Sequence, residues 1–86
     1  MFTIPRHVMA RQVGDETVIL DLNNGTYFGL EPVGTRIWQL LTEGQSLANI
    51  SSAMVEEFDV TLDVVQADTQ RLVNDLLSRG LLVSSD

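Results

Sequence analysis

The chain contains no cysteine and no lysine, and His7 is the one histidine among its 86 residues. Without cysteine, neither a disulfide framework nor a thiolate metal site can form. A Ser-His or Cys-His catalytic arrangement would rest on that single imidazole, and transition-metal ligation has little support. The glycines form neither a GxGxxG pattern nor a phosphate-binding loop. We therefore expect no catalytic site, no metal and no cofactor, and a protein that is not an enzyme.

Basic residues are also scarce, because five arginines oppose twelve acidic residues and give a formal net charge of −7. The arginines are scattered along the sequence rather than gathered in one patch. Nucleic acid is held largely through Lys and Arg contacts to phosphate groups. The composition therefore predicts no nucleic-acid partner and favours a basic or amphipathic peptide.

Long apolar runs are missing as well. No run approaches the ~18–20 residues of a membrane-spanning helix, and residues 1–11 lack the apolar core of a signal peptide. We expect no membrane association and a cytoplasmic protein, a location that the absence of cysteine also fits. Apolar residues make up 44% of the chain, enough for one modest core, so residues 1–86 are predicted to form a single domain.

The first third of the chain has the pattern of β-strands. Alternation over Thr17 to Leu22 predicts a strand, and Asn23-Asn24-Gly25 is a strong hairpin signal that leads into a second strand, Thr26 to Leu30. The segment from His7 to Val13 is predicted to add a third strand. Three strands in this order indicate an antiparallel sheet.

The remainder has helical periodicity. Apolar residues repeat at helical spacing from Val33, again after a Ser46 N-cap, and again after an N-cap at Thr61 or Asp63. Gly44 and Gly80 supply helix ends. The predicted fold is α+β and winged helix-turn-helix-like, with a three-stranded antiparallel sheet followed by three helices.

Two features of this pattern suggest a binding surface. Gly29 lies inside the last strand, where a glycine often marks the close approach of another backbone, and this strand has no lysine, proline or inward charge to protect its edge. In the third helix, a flank at i, i+4, i+7 and i+11 mixes apolar and charged groups. Spacing alone favours exposed salt bridges for that flank, and a groove wall is the alternative. The residues of the flank are Val64, Asp68, Arg71 and Asp75.

Two longer stretches resemble the PqqD-like family. One is Asp21-Leu22-Asn23-Asn24-Gly25-Thr26-Tyr27-Phe28-Gly29-Leu30-Glu31-Pro32-Val33-Gly34, followed by Ile37-Trp38-Gln39-Leu40-Leu41 and Gly44. The other is Val65-x-x-Asp68-x-x-x-Leu72-x-x-x-Leu76-x-x-x-Gly80-Leu81-Leu82. Members of this family are precursor-peptide recognition elements for ribosomally made, post-translationally modified peptides. The Gly-Leu-Glu-Pro-Val-Gly stretch looks most like the stand-alone element of lasso-peptide biosynthesis.

The resemblance implies that a leader peptide adds as a strand to the third strand of the sheet and lies against the third helix. The implied peptide-binding residues are Thr26, Tyr27, Phe28, Gly29, Leu30, Val64, Asp68, Arg71, Leu72 and Asp75. The implied partners are the precursor leader, a leader peptidase and a macrocyclase, and homodimerisation through the same edge is compatible with this interpretation. Two alternatives stay open: a peptide chaperone of coenzyme PQQ or another radical-SAM pathway, and a winged-helix DNA-binding regulator.

Overall fold

The fold was obtained as a computed structural model, which describes residues 2–84. Five strands and three helices follow one another along the chain. In order they are β1 (Phe2–Thr3), β2 (Val8–Val13), β3 (Glu16–Asp21), β4 (Thr26–Leu30), α1 (Pro32–Thr42), α2 (Leu47–Glu57), α3 (Leu62–Ser78) and β5 (Val83–Ser84). The predicted α+β fold, a three-stranded antiparallel sheet followed by three helices, is confirmed.

The main sheet has the order β2-β3-β4, and both strand pairs are antiparallel. The hairpin between β3 and β4 turns at the predicted position: Gly25 has a positive φ of 71°, which glycine adopts without a Cβ clash. The side chains of Asp21 and Asn24 accept hydrogen bonds from the backbone N–H groups of Asn23 and Thr26, at 2.9 and 3.0 Å. Together with the backbone hydrogen bond from the N–H of Gly25 to the carbonyl of Asp21, at 2.8 Å, these side-chain contacts hold the turn.

The sheet buries one face against the helices. Thr17, Ile19 and Asp21 of β3 are buried, whereas Val18 is exposed on the opposite face. The core is completed by Ile37 and Leu41 of α1, Ile50 and Met54 of α2, and Val65, Val73 and Leu76 of α3. Ile50 and Met54 of α2 and Val73 and Leu76 of α3 are each no more than 1% exposed, and these two helices pack against each other.

Local sequence accounts for the helix boundaries. Pro32 occupies the first turn of α1, where a missing backbone N–H costs nothing. The hydroxyl of Ser46 accepts a hydrogen bond from the N–H of Asn49 at the start of α2, and the hydroxyl of Thr61 accepts one from the N–H of Val64 at the start of α3. Of the two predicted N-caps for α3, the structure therefore uses Thr61.

A second, two-stranded sheet joins the ends of the described chain, and the sequence did not predict it. Thr3 of β1 pairs with Val83 of β5 in antiparallel register. Leu81 and Leu82, which precede β5, are 4% and 2% exposed. The apolar segment after α3 thus packs onto the body of the domain and brings the first strand with it.

No helix within residues 2–84 combines the length and the apolar character that crossing a lipid bilayer requires.

Candidate peptide-binding groove

The outer edge of β4 is open. β4 pairs with β3 on one side, and no other strand in residues 2–84 pairs with its opposite side. Edge strands in this condition present backbone N–H and C=O groups that another chain can pair with. The structure thus provides the unpaired row on which strand addition depends.

The register identifies which backbone groups point outward. Leu22 donates its backbone N–H to the carbonyl of His7, on the β2 side of the sheet, at 2.7 Å. The backbone groups of successive residues in a strand point alternately to its two sides. Ile19, three residues before Leu22, therefore turns its N–H and C=O toward β4, where its partner is Phe28. Phe28 therefore turns its backbone groups inward, and its neighbours Tyr27 and Gly29 turn theirs outward.

A groove of about 500 Å³ lies beside this edge, between β4, the first turns of α1 and one flank of α3. Its walls carry both apolar and charged side chains. They are formed by Phe28, Gly29, Leu30, Glu31, Val33, Gly34, Ile37, Asp68, Arg71, Leu72 and Asp75. An extended chain paired to β4 would place alternate side chains in this groove.

Seven of the ten residues that the resemblance implied meet in this groove. They are Phe28, Gly29, Leu30, Asp68, Arg71, Leu72 and Asp75. Thr26 and Tyr27 line an adjoining pocket instead. Val64 is 49% exposed and lines neither cavity, because it lies one turn nearer the start of α3 than Asp68.

Leu72 occupies a different position from the one its periodicity indicated. On a helical wheel Leu72 falls with Val65 and Leu76, and this periodicity alone predicts that it faces the core, whereas the family resemblance implies a place in the binding site. In the structure it is only partly buried and reaches the groove. Val73, 1% exposed, takes the place in the core. A leucine held at a groove wall offers an apolar contact to any chain that lies there.

The floor of the groove was not foreseen from the sequence. Val33, Gly34 and Ile37 of α1 contribute to it. A Cβ on Gly34 would lie 3.4 Å from Leu30 Cδ2 and 3.9 Å from Leu72 Cδ2, so this glycine leaves the space between β4 and α3 unfilled. Helical spacing from Val33 was recognised as a core pattern, and nothing in it distinguished a groove floor from a core.

The charges on the α3 side of the groove are paired with one another. Arg71 Nη1 donates to Asp68 Oδ1 at 3.2 Å, and Arg79 Nε donates to Asp75 Oδ1 at 2.8 Å. All four side chains are more than one third exposed, so each pair stabilises the fold by less than about 1 kcal/mol. The pairs balance the charges on the α3 side while their donors and acceptors stay accessible to a guest, and Glu31 adds a negative charge to the lining.

Within the described residues, no group of three or more His, Cys, Asp or Glu side chains is arranged to hold a metal ion. The groove is built from apolar surface, charged side chains and an open strand edge.

Comparison with known proteins points to one family. Residues 16–82 match the family described as coenzyme PQQ synthesis protein D, PqqD. Among curated protein sequences, no significant match to the chain was found.

Two solved structures are similar over almost the full length. "TbiB1 in Complex with the TbiA(beta) Leader Peptide" is 37% identical, with a TM-score of 0.87 and 98% of each chain covered. "Lasso peptide synthetase B1 complexed with the leader peptide" is 25% identical, with a TM-score of 0.89 and coverage of 96% of this chain and 98% of the other. The family match spans β3 through the end of α3, the elements that build the groove. This chain belongs to the PqqD family.

Proposed function

We propose that this domain binds the leader segment of a ribosomally made precursor peptide by strand addition to β4. In this proposal it acts in the cytoplasm without catalysing a reaction and delivers the leader to the leader peptidase and macrocyclase of lasso-peptide biosynthesis. The observation that carries the proposal is the open edge at Tyr27 and Gly29 beside a groove walled by α3. The two similar solved structures, whose descriptions name a bound leader peptide, support it.

The affinity would come from two sources. Main-chain hydrogen bonds to the outward groups of Tyr27 and Gly29 are independent of the guest's sequence, whereas pockets for alternate side chains select among guests. Leu72 and Val33 supply apolar contact in the groove. Ordering a flexible leader costs free energy. We therefore expect sub-micromolar dissociation constants up to about 1 µM, which correspond to binding free energies of roughly −8 to −10 kcal/mol.

A peptide chaperone of the coenzyme PQQ pathway is the second candidate, and the description of the matched family favours it. The two candidates share the groove and differ in the guest. Binding of a lasso-peptide leader and of a PQQ precursor, measured side by side, separates them.

DNA binding is disfavoured by the charges on α3, the helix that a winged-helix regulator would insert into DNA. On α3 and its C-cap, Arg71 is paired with Asp68 and Arg79 with Asp75. Neither cation is free to contact a phosphate without leaving an acidic partner next to the DNA.

The test is fluorescence anisotropy with a labelled TbiA(beta) leader peptide. Leu72→Asp places a carboxylate in the apolar part of the groove, so affinity should fall by at least about tenfold, or ~1.4 kcal/mol. The matched control is Leu62→Asp, the same substitution at a 49% exposed position on the same helix, which should bind as the wild type does. Far-UV circular dichroism checks that both variants are folded. Equal affinity of all three proteins would show that the leader lies elsewhere.

A further inference from the structure

A second pocket continues the groove past the start of β4. It has a volume of about 270 Å³ and lies between the β3–β4 hairpin and the end of α3. Phe28 lines both cavities. At about 3.3 Å per residue, a strand paired along β4 would pass from the first cavity to the second within a few residues.

Asp21 is the unusual member of this pocket. It is 5% exposed, and a buried carboxylate is costly unless it is paired and hydrogen-bonded. Its Oδ1 accepts one hydrogen bond, from the N–H of Asn23. Within residues 2–84, Oδ2 accepts none.

The role of Asp21 in the turn does not require a charge. Three residues on, the neutral side chain of Asn24 accepts from the N–H of Thr26 in the same manner. A single acceptor atom is enough for such a turn. An asparagine at position 21 would satisfy the N–H of Asn23 equally well, so the turn leaves the negative charge and Oδ2 unexplained.

No arginine or histidine side chain within residues 2–84 donates a hydrogen bond to this carboxylate. Arg79, on the opposite wall of the pocket, donates to Asp75 at 2.8 Å and lies over the ring of Phe28. The imidazole Nε2 of His7 lies 4.0 Å from Oδ1, beyond hydrogen-bonding distance. The pocket therefore presents a carboxylate oxygen, Oδ2, that accepts no hydrogen bond within residues 2–84.

We infer that this second pocket binds a basic side chain of the guest peptide, a lysine or arginine, with Asp21 as its partner. The inference rests on the proposed function, because the basic residue is carried by the leader strand on β4. Side chains on one face of a strand are two residues apart. The basic residue therefore lies an even number of positions from the residue that contacts Leu72.

An ion pair between Asp21 and the basic guest residue explains why a carboxylate, and not an amide, stands at this position. A hydrogen bond between two charged groups is shorter and stronger than a neutral one, and exclusion of water strengthens the attraction. An acidic guest residue in the same pocket would instead be repelled by the carboxylate of Asp21. The pocket thus adds charge selection to the sequence-tolerant pairing along β4.

The test uses TbiA(beta) leader peptides in which each position in turn is lysine, arginine or norleucine. With the wild-type domain, we expect one position at which a basic residue binds about tenfold more tightly than norleucine. Asp21→Asn, which retains the acceptor for Asn23, should abolish that preference. Asp15→Asn is the matched control, since it removes the same charge from an exposed turn and should preserve the preference.

The outcomes separate this inference from the proposed function. If the peptides bind and Leu72→Asp weakens them, but no position shows an Asp21-dependent preference for a basic residue, the second pocket has been misassigned and leader binding stands. A basic preference that survives Asp21→Asn also overturns the inference. If no peptide binds the wild-type domain, both proposals fail.

Discussion

The guanidinium carbon of Arg79 lies 4.9 Å from the centroid of the Phe28 ring. This contact joins the C-cap of α3 to the middle of the edge strand β4. The same Arg79 side chain donates to Asp75, so one residue links two walls of the proposed leader site. Arg79 thus connects α3 and β4 at this end of the groove.

Arg79→Gln should weaken leader binding several-fold while lowering the free energy of unfolding by no more than about 1 kcal/mol. The stability loss is small because cation–π contacts and ion pairs at exposed sites are each worth about 0.5–1 kcal/mol or less. Urea denaturation and anisotropy titration measure the two effects. Arg71→Gln is the control for stability, because Arg71 is 75% exposed and pairs with Asp68 alone. Equal unfolding free energies for the two variants would contradict a bridging role.

Gly34→Ala, at the groove floor, should have opposite effects on the stability of the fold and on leader affinity. The added methyl group would sit at van der Waals distance from Leu30 and Leu72, and alanine is favoured over glycine in a helix by up to about 1 kcal/mol. We expect a higher thermal midpoint with leader affinity reduced several-fold, because the methyl group occupies the guest's space. Ser52→Ala, at an exposed position of α2, controls for helix propensity. Unchanged affinity in Gly34→Ala would mean that no guest side chain reaches this floor.

Proline substitutions test the direction of the backbone groups on β4. Tyr27→Pro removes an outward N–H and should leave the domain folded while weakening leader binding by about 1 kcal/mol. Tyr27→Ala reports the contribution of the side chain alone. Phe28→Pro removes an inward N–H paired with β3 and should destabilise the fold by more than about 1 kcal/mol. If the two proline variants were equally stable, the assigned register would be wrong.

The pair between Arg36 and Glu57 should make part of the stability depend on pH. Arg36 donates to both carboxylate oxygens of Glu57, at 2.7 and 3.1 Å, and this lowers the pKa of Glu57 below its ordinary value of 4.5. The stabilisation is therefore complete above pH 4.5 and is lost as the pH falls through the lowered pKa. Urea midpoints of Glu57→Gln and wild type should differ at pH 7 and converge once the pH has fallen below that lowered pKa. Glu56→Gln, next to this pair, should show no such convergence.

Local chemistry made much of the fold predictable. The hairpin at Asn23-Asn24-Gly25, the N-cap at Ser46 and the glycine end of α1 at Gly44 were each readable from a few neighbouring residues. In each case a backbone conformation or an unpaired N–H selects the residue type directly. The order of strands and helices followed from these boundaries.

Long-range contacts were not predictable in the same way. Pairing of β1 with β5 joins Thr3 to Val83 across nearly the whole chain, and two-residue strands have no periodicity to detect. The position of Leu72 at the groove depends on how far α3 is rotated against the sheet. Helical spacing cannot distinguish a leucine at the rim of the core from one inside it. The free oxygen of Asp21 likewise became visible only when the turn and its neighbours were in place.

The placement of the aromatic residues gives the domain two separate optical probes. Trp38, the single tryptophan, is 5% exposed in the core, whereas Tyr27, the single tyrosine, is 71% exposed on the edge strand. Indole emission should therefore follow denaturation and change little when a guest docks, while phenol absorbance responds at the docking edge. Occupancy and unfolding can thus be followed in one unlabelled sample.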